Sequence, residues 1–175
     1  MLAFAAGDEA SFAALFERWS RPLLRYVERL VREPATAEEL VQEAFVRVHR
    51  ARGTYRPEAR FSTWLFRIAT HLAWNELRRP RHRAPHESVD GDEAAPIAAT
   101  GAAVDELVHA RRVSADVEAA LAALPERQRS ALWLAAIEGQ SYAEVAQTLA
   151  TSETAVKALV HRARAALAAT LEELR

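Results

Sequence analysis

Residues 141–164 read SYAEVAQTLATSETAVKALVHRAR. Ser141 and Glu144 stand three apart, the pattern of a capping box that opens a helix. Val145 and Leu149 give that helix an apolar face, with the small Ala146 beside them. Ala150-Thr151-Ser152 then breaks the period. Ser152 is placed to cap a second helix, whose inner face is Val156 with Leu159 or Val160. Two short helices, a tight turn and a small residue at the crossing satisfy a helix-turn-helix. The turn usually needs positive φ at its first position, where glycine is at no disadvantage. Ala150 in the left-handed region would cost about 1–2 kcal/mol. Spacing alone admits an ordinary helical hairpin equally well.

The outer surface of the second helix distinguishes the two readings. Lys157, His161, Arg162 and Arg164 fall within eight residues, and no acid stands between Glu153 and Glu172. A helix that enters a DNA groove needs such a cluster, because phosphate contacts supply most of the affinity and a few side chains read base edges. Ser152, Glu153 and Thr154 lie at its N-terminal end, where a recognition helix reaches the bases.

Working outward, the rest of the chain also reads as helix. Asp8 caps a segment running to about Val31, striped with Phe12, Leu15, Phe16, Trp19, Leu23 and Val27. After EPAT, Thr36 and Glu39 offer a capping box for a helix ending near Gly53, and TYRPEAR reads as a loop. Ser62 is positioned to cap STWLFRIATHLAWNELRR, which Pro80 ends. Residues 84–101 carry two Pro, two Gly and four acids with no Lys or Arg, the composition of a linker. A helix then follows over residues 104–124, with an interruption at Ser114, and another from Pro125 to Gly139. No strand pattern or internal repeat is present. The expectation is an all-α chain of two small helical domains, residues 1–80 and 102–175, joined by a flexible acidic linker at 81–101.

A net charge of −1 conceals a strong asymmetry. Residues 1–83 hold 15 Arg against 10 acids, residues 84–110 hold six acids and no Lys or Arg, and residues 111–175 balance eight against eight. Residues 50–83 alone hold nine Arg against Glu58 and Glu76. Concentrated arginine beside an acidic segment suits phosphate contact and a repelled tether. The chain has no cysteine, so disulfides and thiolate chemistry are excluded. There is no HExxH, Gly-rich phosphate loop or GxSxG, and His82 and His86 make a poor metal pair, so no cofactor or metal is expected. No apolar run is long enough for a membrane span, and MLAFAAGDEA lacks the basic start of a signal peptide, which points to the cytoplasm.

Two further surfaces stand out. Leu65, Ile68, Ala69 and Leu72 make a core stripe on the third helix, while Trp64, Arg67, His71, Trp74 and Arg78 follow another, with Asn75 adjacent. Tyr55, Arg56, Arg60 and Phe61 precede it. Rings interleaved with Arg stack bases and attract phosphate, at roughly 1–3 kcal/mol per stacked base. Trp64 and Trp74 fit a core role as well as a DNA-facing one. On the helix before it, Leu40, Val41, Ala44, Phe45 and Val48 face inward. Glu39, Gln42, Glu43, Val46 and Arg47 form an outer face that reads as solvated or as a docking surface, with Arg47 four residues beyond Glu43 to relieve its repulsion with Glu39.

Taken in order, AEELVQEAFVRVHR, FSTWLFRIATHLAWNELRR and LPERQRSALWLAAIEGQSYAEVAQTLATSETAVKALVHRAR resemble the bacterial extracytoplasmic-function (ECF) sigma factors of RNA polymerase. The resemblance implies a sigma-2 domain joined to a sigma-4 helix-turn-helix domain, and a non-catalytic subunit that directs core polymerase to promoters and assists melting. It assigns Glu39, Gln42, Glu43, Val46 and Arg47 to the β′ clamp helices. Tyr55, Arg56, Arg60, Phe61, Trp64, Arg67, His71, Asn75, Arg78 and Arg79 fall to the minus-ten element, and the second domain also to the β flap. Ser152, Glu153, Thr154, Lys157, Ala158, His161, Arg162 and Arg164 fall to the minus-thirty-five element. An anti-sigma protein is implied as a further partner. The family commonly has Asp at Glu39, Asn at His71, Gly at Ala150, and TVKSRLHRAR where this chain has AVKALVHRAR. The rival reading is a helix-turn-helix regulator that binds duplex DNA without melting it. A third is a helical adaptor that docks proteins through Glu39 and Glu43 and does not bind DNA.

Overall fold

The computed structural model describes residues 1–79 and 115–173. Among these residues every regular element is a helix: α1 (Leu2–Ala5), α2 (Glu9–Val31), α3 (Pro34–Arg50), α4 (Phe61–Leu77), α5 (residues 115–123), α6 (Glu126–Ala136), α7 (Tyr142–Leu149) and α8 (Glu153–Glu173). The expected linker at 81–101 and the first part of the helix expected over 104–124, up to residue 114, lie outside the described residues.

Local chemistry sets the helix ends. Asp8 caps α2 by accepting from the Ala10 N–H, and the helix stops at Arg32, which turns left-handed at φ 60°. The chain then enters α3 directly, because Pro34 with its fixed φ occupies the first turn, where a missing N–H matters least. The capping box expected at Thr36 and Glu39 therefore does not form. Thr36 falls inside the first turn and donates its hydroxyl to the Glu33 carboxylate. α4 likewise starts at Phe61, before Ser62, with an extended Arg60 at its N-cap and no side-chain cap. Pro125 sits at the N-cap of α6, one residue earlier than expected.

α2, α3 and α4 enclose the first part of the core. Leu23, Tyr26, Val27, Val48, Leu65, Phe66 and Ala69 are fully buried within it. The Tyr26 ring lies 5.3 Å from that of Phe66. Its hydroxyl bonds to Thr70 Oγ1 at 2.8 Å, and Thr70 donates in turn to the Phe66 carbonyl at 2.7 Å, so Tyr26 is the donor of the first bond. Burial pushes the phenol up to about 12, keeping it neutral and able to donate. A short N-terminal lid, α1, places Phe4 beneath the Arg52 guanidinium, 5.0 Å from the ring centre.

α6, α7 and α8 complete the second part around Ala131, Leu134, Val145, Leu149, Val156 and Val160. The capping box of α7 forms in full: Ser141 accepts from the Glu144 N–H, and Glu144 accepts from the Ser141 N–H. α7 ends in a Schellman motif, with Thr151 N–H on the Ala146 carbonyl at 3.0 Å and Ala150 N–H on Gln147 at 3.5 Å. Ala150 adopts φ 50°, ψ 55°, the left-handed conformation that the turn requires. Ser152 then caps α8 through the Ala155 N–H at 3.1 Å. The two parts share one continuous apolar cluster, because α7 lies against α4 and α6 touches α2.

Candidate nucleic-acid interface

The outer face of α8 is open. Ser152, Glu153, Thr154, Lys157, His161, Arg162 and Arg164 are exposed, and Ala158 is half-buried among them. Val156, Val160 and Ala163 turn inward and fix which face is presented. Among the described residues one ion pair crosses it, Lys157 Nζ to Glu153 at 3.6 Å, an exposed i,i+4 contact of little strength.

α4 presents the second surface. Arg67, Asn75, Arg78 and Arg79 are exposed, and Trp64 and His71 half-buried. Trp64 belongs to an aromatic stack, 5.0 Å from Tyr55 and 6.1 Å from Phe61. Burial of part of its ring raises the Tyr55 phenol above its ordinary value. A groove of about 310 Å³ beside the stack is lined by Arg47, Trp64, Arg67, Ile68 and His71. His71 is oriented by its own helix, with Nδ1 2.7 Å from the Arg67 carbonyl. Arg79 pairs with the buried Glu76 at 2.8 Å. Among the described residues Arg56 and Arg67 make no ion pair. Trp74, on the same helix, is buried in the closed core.

α3 borders that groove through Arg47, whose Nε donates to Glu43 at 2.8 Å and relieves the repulsion between Glu39 and Glu43. Glu39, Gln42, Val46 and Arg47 are exposed and Glu43 half-buried. Val46 is 39% exposed, an apolar centre in a polar rim.

Sequence reading missed a third set of residues, those that join the two parts. Arg129 is 8% exposed and donates to four carbonyls: Arg29 at 2.9 Å, Leu30 at 3.3 Å, Ala122 at 3.2 Å and Leu124 at 2.8 Å. The first two end α2 and the others end α5. Burial, with Arg32 nearby, lowers Arg129 to about 10, which leaves it charged at neutral pH. Trp74 Nε1–H donates to Ser130 Oγ at 3.3 Å, and the Arg127 guanidinium lies 5.2 Å from the Trp74 ring. The available signal was an arginine set on the apolar side of α6, next to Ser130 and Ala131.

A helix-turn-helix with an open basic face, beside a helix carrying arginine and stacked rings, defines a helical DNA-binding protein. Comparison with known proteins narrows the class. The family profile for Sigma-70 region 2 matches residues 15–83, and that for Sigma-70, region 4 matches residues 114–167. RNA polymerase sigma-H factor of Pseudomonas aeruginosa is 32% identical over 173 residues, covering 96% of this chain and 90% of that protein. ECF RNA polymerase sigma factor SigM of Mycobacterium tuberculosis is 33% identical, covering 96% and 81%. ECF RNA polymerase sigma-E factor of Escherichia coli is 31% identical, covering 92% and 86%. Among solved structures, CnrH in complex with the cytosolic domain of CnrY superimposes with a TM-score of 0.70 at 26% identity, over 97% of this chain and 92% of that one. RpoE of Bartonella quintana, solved with the anti-sigma factor NepR, shares the fold with a TM-score of 0.69 at 23% identity, over 94% and 99%.

The chain belongs to the ECF sigma factors of the sigma-70 family, and it is an alternative sigma factor that directs RNA polymerase in transcription initiation. A regulator confined to duplex DNA leaves the match to region 2 without a role. Among the described residues no helix is long and apolar enough to cross a membrane.

Proposed function

We propose a division of labour among three surfaces. Residues 1–80 form the unit that docks polymerase and handles the minus-ten element, residues 81–101 the tether, and residues 102–175 the unit that reads the minus-thirty-five element. The outer face of α3, with Glu39, Gln42, Glu43, Val46 and Arg47, docks on the β′ clamp helices, and the C-terminal unit meets the β flap. Ser152, Glu153, Thr154, Lys157, Ala158, His161, Arg162 and Arg164 engage the major groove of the duplex.

Tyr55, Arg56, Arg60, Phe61, Trp64, Arg67, His71, Asn75, Arg78 and Arg79 trap the unpaired minus-ten strand. The observation that carries this reading is the Tyr55–Trp64–Phe61 stack beside an Arg-lined groove. Stacking a base there offsets the cost of unstacking it from duplex, a few kcal/mol per base. Strand separation is then driven by binding, and the subunit catalyses no bond change of its own. It works in the cytoplasm, with an anti-sigma protein as a regulatory partner.

Run-off transcription with purified core polymerase tests the assignment. Initiation from genomic fragments is expected with the parent chain, and charge reversal at Glu39 and Glu43 should abolish it by preventing assembly. Arg67→Ala should assemble normally but show weak permanganate reactivity at the melted bases. Normal melting in that variant would remove Arg67 from the mechanism.

A further inference from the structure

The turn after α3 delivers the strand-binding loop, and what holds that turn lies in the first nine residues. α1 folds back onto α2 through Gly7, whose φ of 113° is open to glycine and strained for other residues. Gly7 N–H bonds the Phe4 carbonyl and Asp8 N–H the Ala3 carbonyl, both at 3.0 Å. Phe4 is fully buried, its ring 5.0 Å from that of Phe12 and 5.2 Å from that of His49. The Arg52 guanidinium closes over the Phe4 ring at 5.0 Å and donates through Nη1 to the Glu9 carboxylate. Gly7 completes the socket, since a Cβ built there would stand 3.4 Å from Arg52 Nη2. Arg52 is thus held on three sides by residues 4–9, which precede position 15, where the match to region 2 begins.

Tyr55, which lies on Trp64, stands three residues beyond Arg52. The steps between them are short. Arg52 N–H bonds the His49 carbonyl at 3.2 Å, and Thr54 bonds the Ala51 carbonyl through its N–H at 3.0 Å and its hydroxyl at 3.3 Å. A Cβ built at Gly53 would meet nothing within 4 Å, so packing does not restrain the turn there. Among the described residues, residues 55–59 add one backbone bond, from Glu58 N–H to the Arg56 carbonyl at 2.9 Å. The place of Tyr55 is therefore set from its contact with Trp64 on one side and from the Arg52 socket on the other. The Arg52 side chain is 33% exposed, so solvent screens its pair with Glu9 only in part, and the ring adds cation–π attraction. A loop ordered in advance does not have to be ordered at the moment of binding.

We propose that Arg52 is a positioning residue for single-strand capture: Phe4 and Glu9 hold its guanidinium, and so hold the turn that presents Tyr55 on Trp64 to an unpaired base. This rests on the assignment of the Tyr55–Trp64–Phe61 stack to the minus-ten strand. Arg52 is itself a cation, so a direct phosphate contact would also explain a loss on removing it. Glu9 separates the two explanations. Removing an acid near bound DNA favours binding on electrostatic grounds and frees Arg52 for phosphate. Removing a tether weakens binding instead, so the sign of the Glu9 effect decides.

The test compares full-length variants by fluorescence anisotropy with a short fluorescein-labelled single-stranded DNA of mixed sequence. Duplex binding and thermal unfolding serve as controls. Glu9→Ala and Arg52→Gln are each expected to bind the single strand about fivefold more weakly. Duplex affinity should stay unchanged, and the melting temperature should move by no more than about 3 °C. Arg52→Lys keeps a cation over the ring and beside Glu9, and should bind within about twofold of the parent chain. In a Tyr55→Ala background Glu9→Ala should add nothing, because the socket then has no ring to position.

Glu9→Ala binding as tightly as the parent, or more tightly, overturns the positioning role; if Arg52→Gln is weak at the same time, Arg52 touches phosphate directly. A full additional loss from Glu9→Ala on top of Tyr55→Ala overturns it as well. So does a parallel fall in stability, duplex binding and single-strand binding, which makes Arg52 a structural residue only. Should Arg52→Gln fail to fold, Glu9→Ala and its combination with Tyr55→Ala decide alone. If Tyr55→Ala itself binds like the parent, the assignment of the stack to the strand has failed, and the positioning role falls with it.

Discussion

Replacing Ala150 by glycine should make this protein more stable. Ala150 is exposed and occupies φ 50°, ψ 55°, where its Cβ crowds the backbone without gaining any packing in return. A non-glycine residue there costs about 1–2 kcal/mol. Glycine removes that strain but enlarges the unfolded ensemble, which takes back about 0.4–1 kcal/mol. The net gain is about 0.5–1 kcal/mol. For a chain of this size, each kcal/mol moves the midpoint by about 2–4 °C. Both Schellman bonds are made by backbone groups, so the substitution leaves them in place. The assay is urea and thermal unfolding followed by far-ultraviolet circular dichroism, with Ala150→Asn as an intermediate, since asparagine tolerates this region better than alanine. Ala150→Val should be the least stable of the set. The reasoning fails if glycine lowers the midpoint, or if valine matches alanine, because either outcome means that the turn relaxes out of the left-handed region.

Other outcomes follow from the same structure. Phe66→Ala should cost about 3–5 kcal/mol, because Phe66 is fully buried against Tyr26 and Trp19; urea unfolding measures it. The Ser141 backbone N–H, its hydroxyl and Arg60 together hold the Glu144 carboxyl below its ordinary value of 4.5. The stability that this carboxylate contributes is therefore complete above about pH 4.5 and lost as pH falls through the lower folded value. Glu144→Gln should flatten that part of the acid limb, seen as a smaller drop in melting temperature between neutral and acid solution. Lys157→Ala should weaken duplex binding by the C-terminal surface about equally across sequences and reduce the salt slope by about one, checked by titration at several ionic strengths.

The helices and the exposed basic face of α8 were legible because their signals are local. A capping box at Ser141 and Glu144, an aspartate at position 8 and a run of Lys157, His161, Arg162 and Arg164 act within a few residues of themselves. Even the strain at Ala150 could be anticipated, since a tight helix-to-helix turn dictates the sign of φ. One local reading fails: EPAT reads as a break with the cap at Thr36, whereas α3 begins at Pro34, because a proline in the first turn carries no N–H to strand.

What chain order cannot convey is which faces meet. Trp74 and Trp64 sit on one stripe of one helix, yet one is buried under α6 and the other stays half open beside a groove. Nothing near position 74 distinguishes them, because the partner that covers Trp74 is Ser130, 56 residues away. Arg129 was unreadable for the same reason, its acceptors Arg29 and Leu30 lying about a hundred residues back along the chain. Sequence by itself determined the all-helical class, the helix-turn-helix and the family. The tertiary structure decided that the two parts close on each other, because burial and the capping of one helix end by a residue from another depend on contacts that only the folded chain brings within reach.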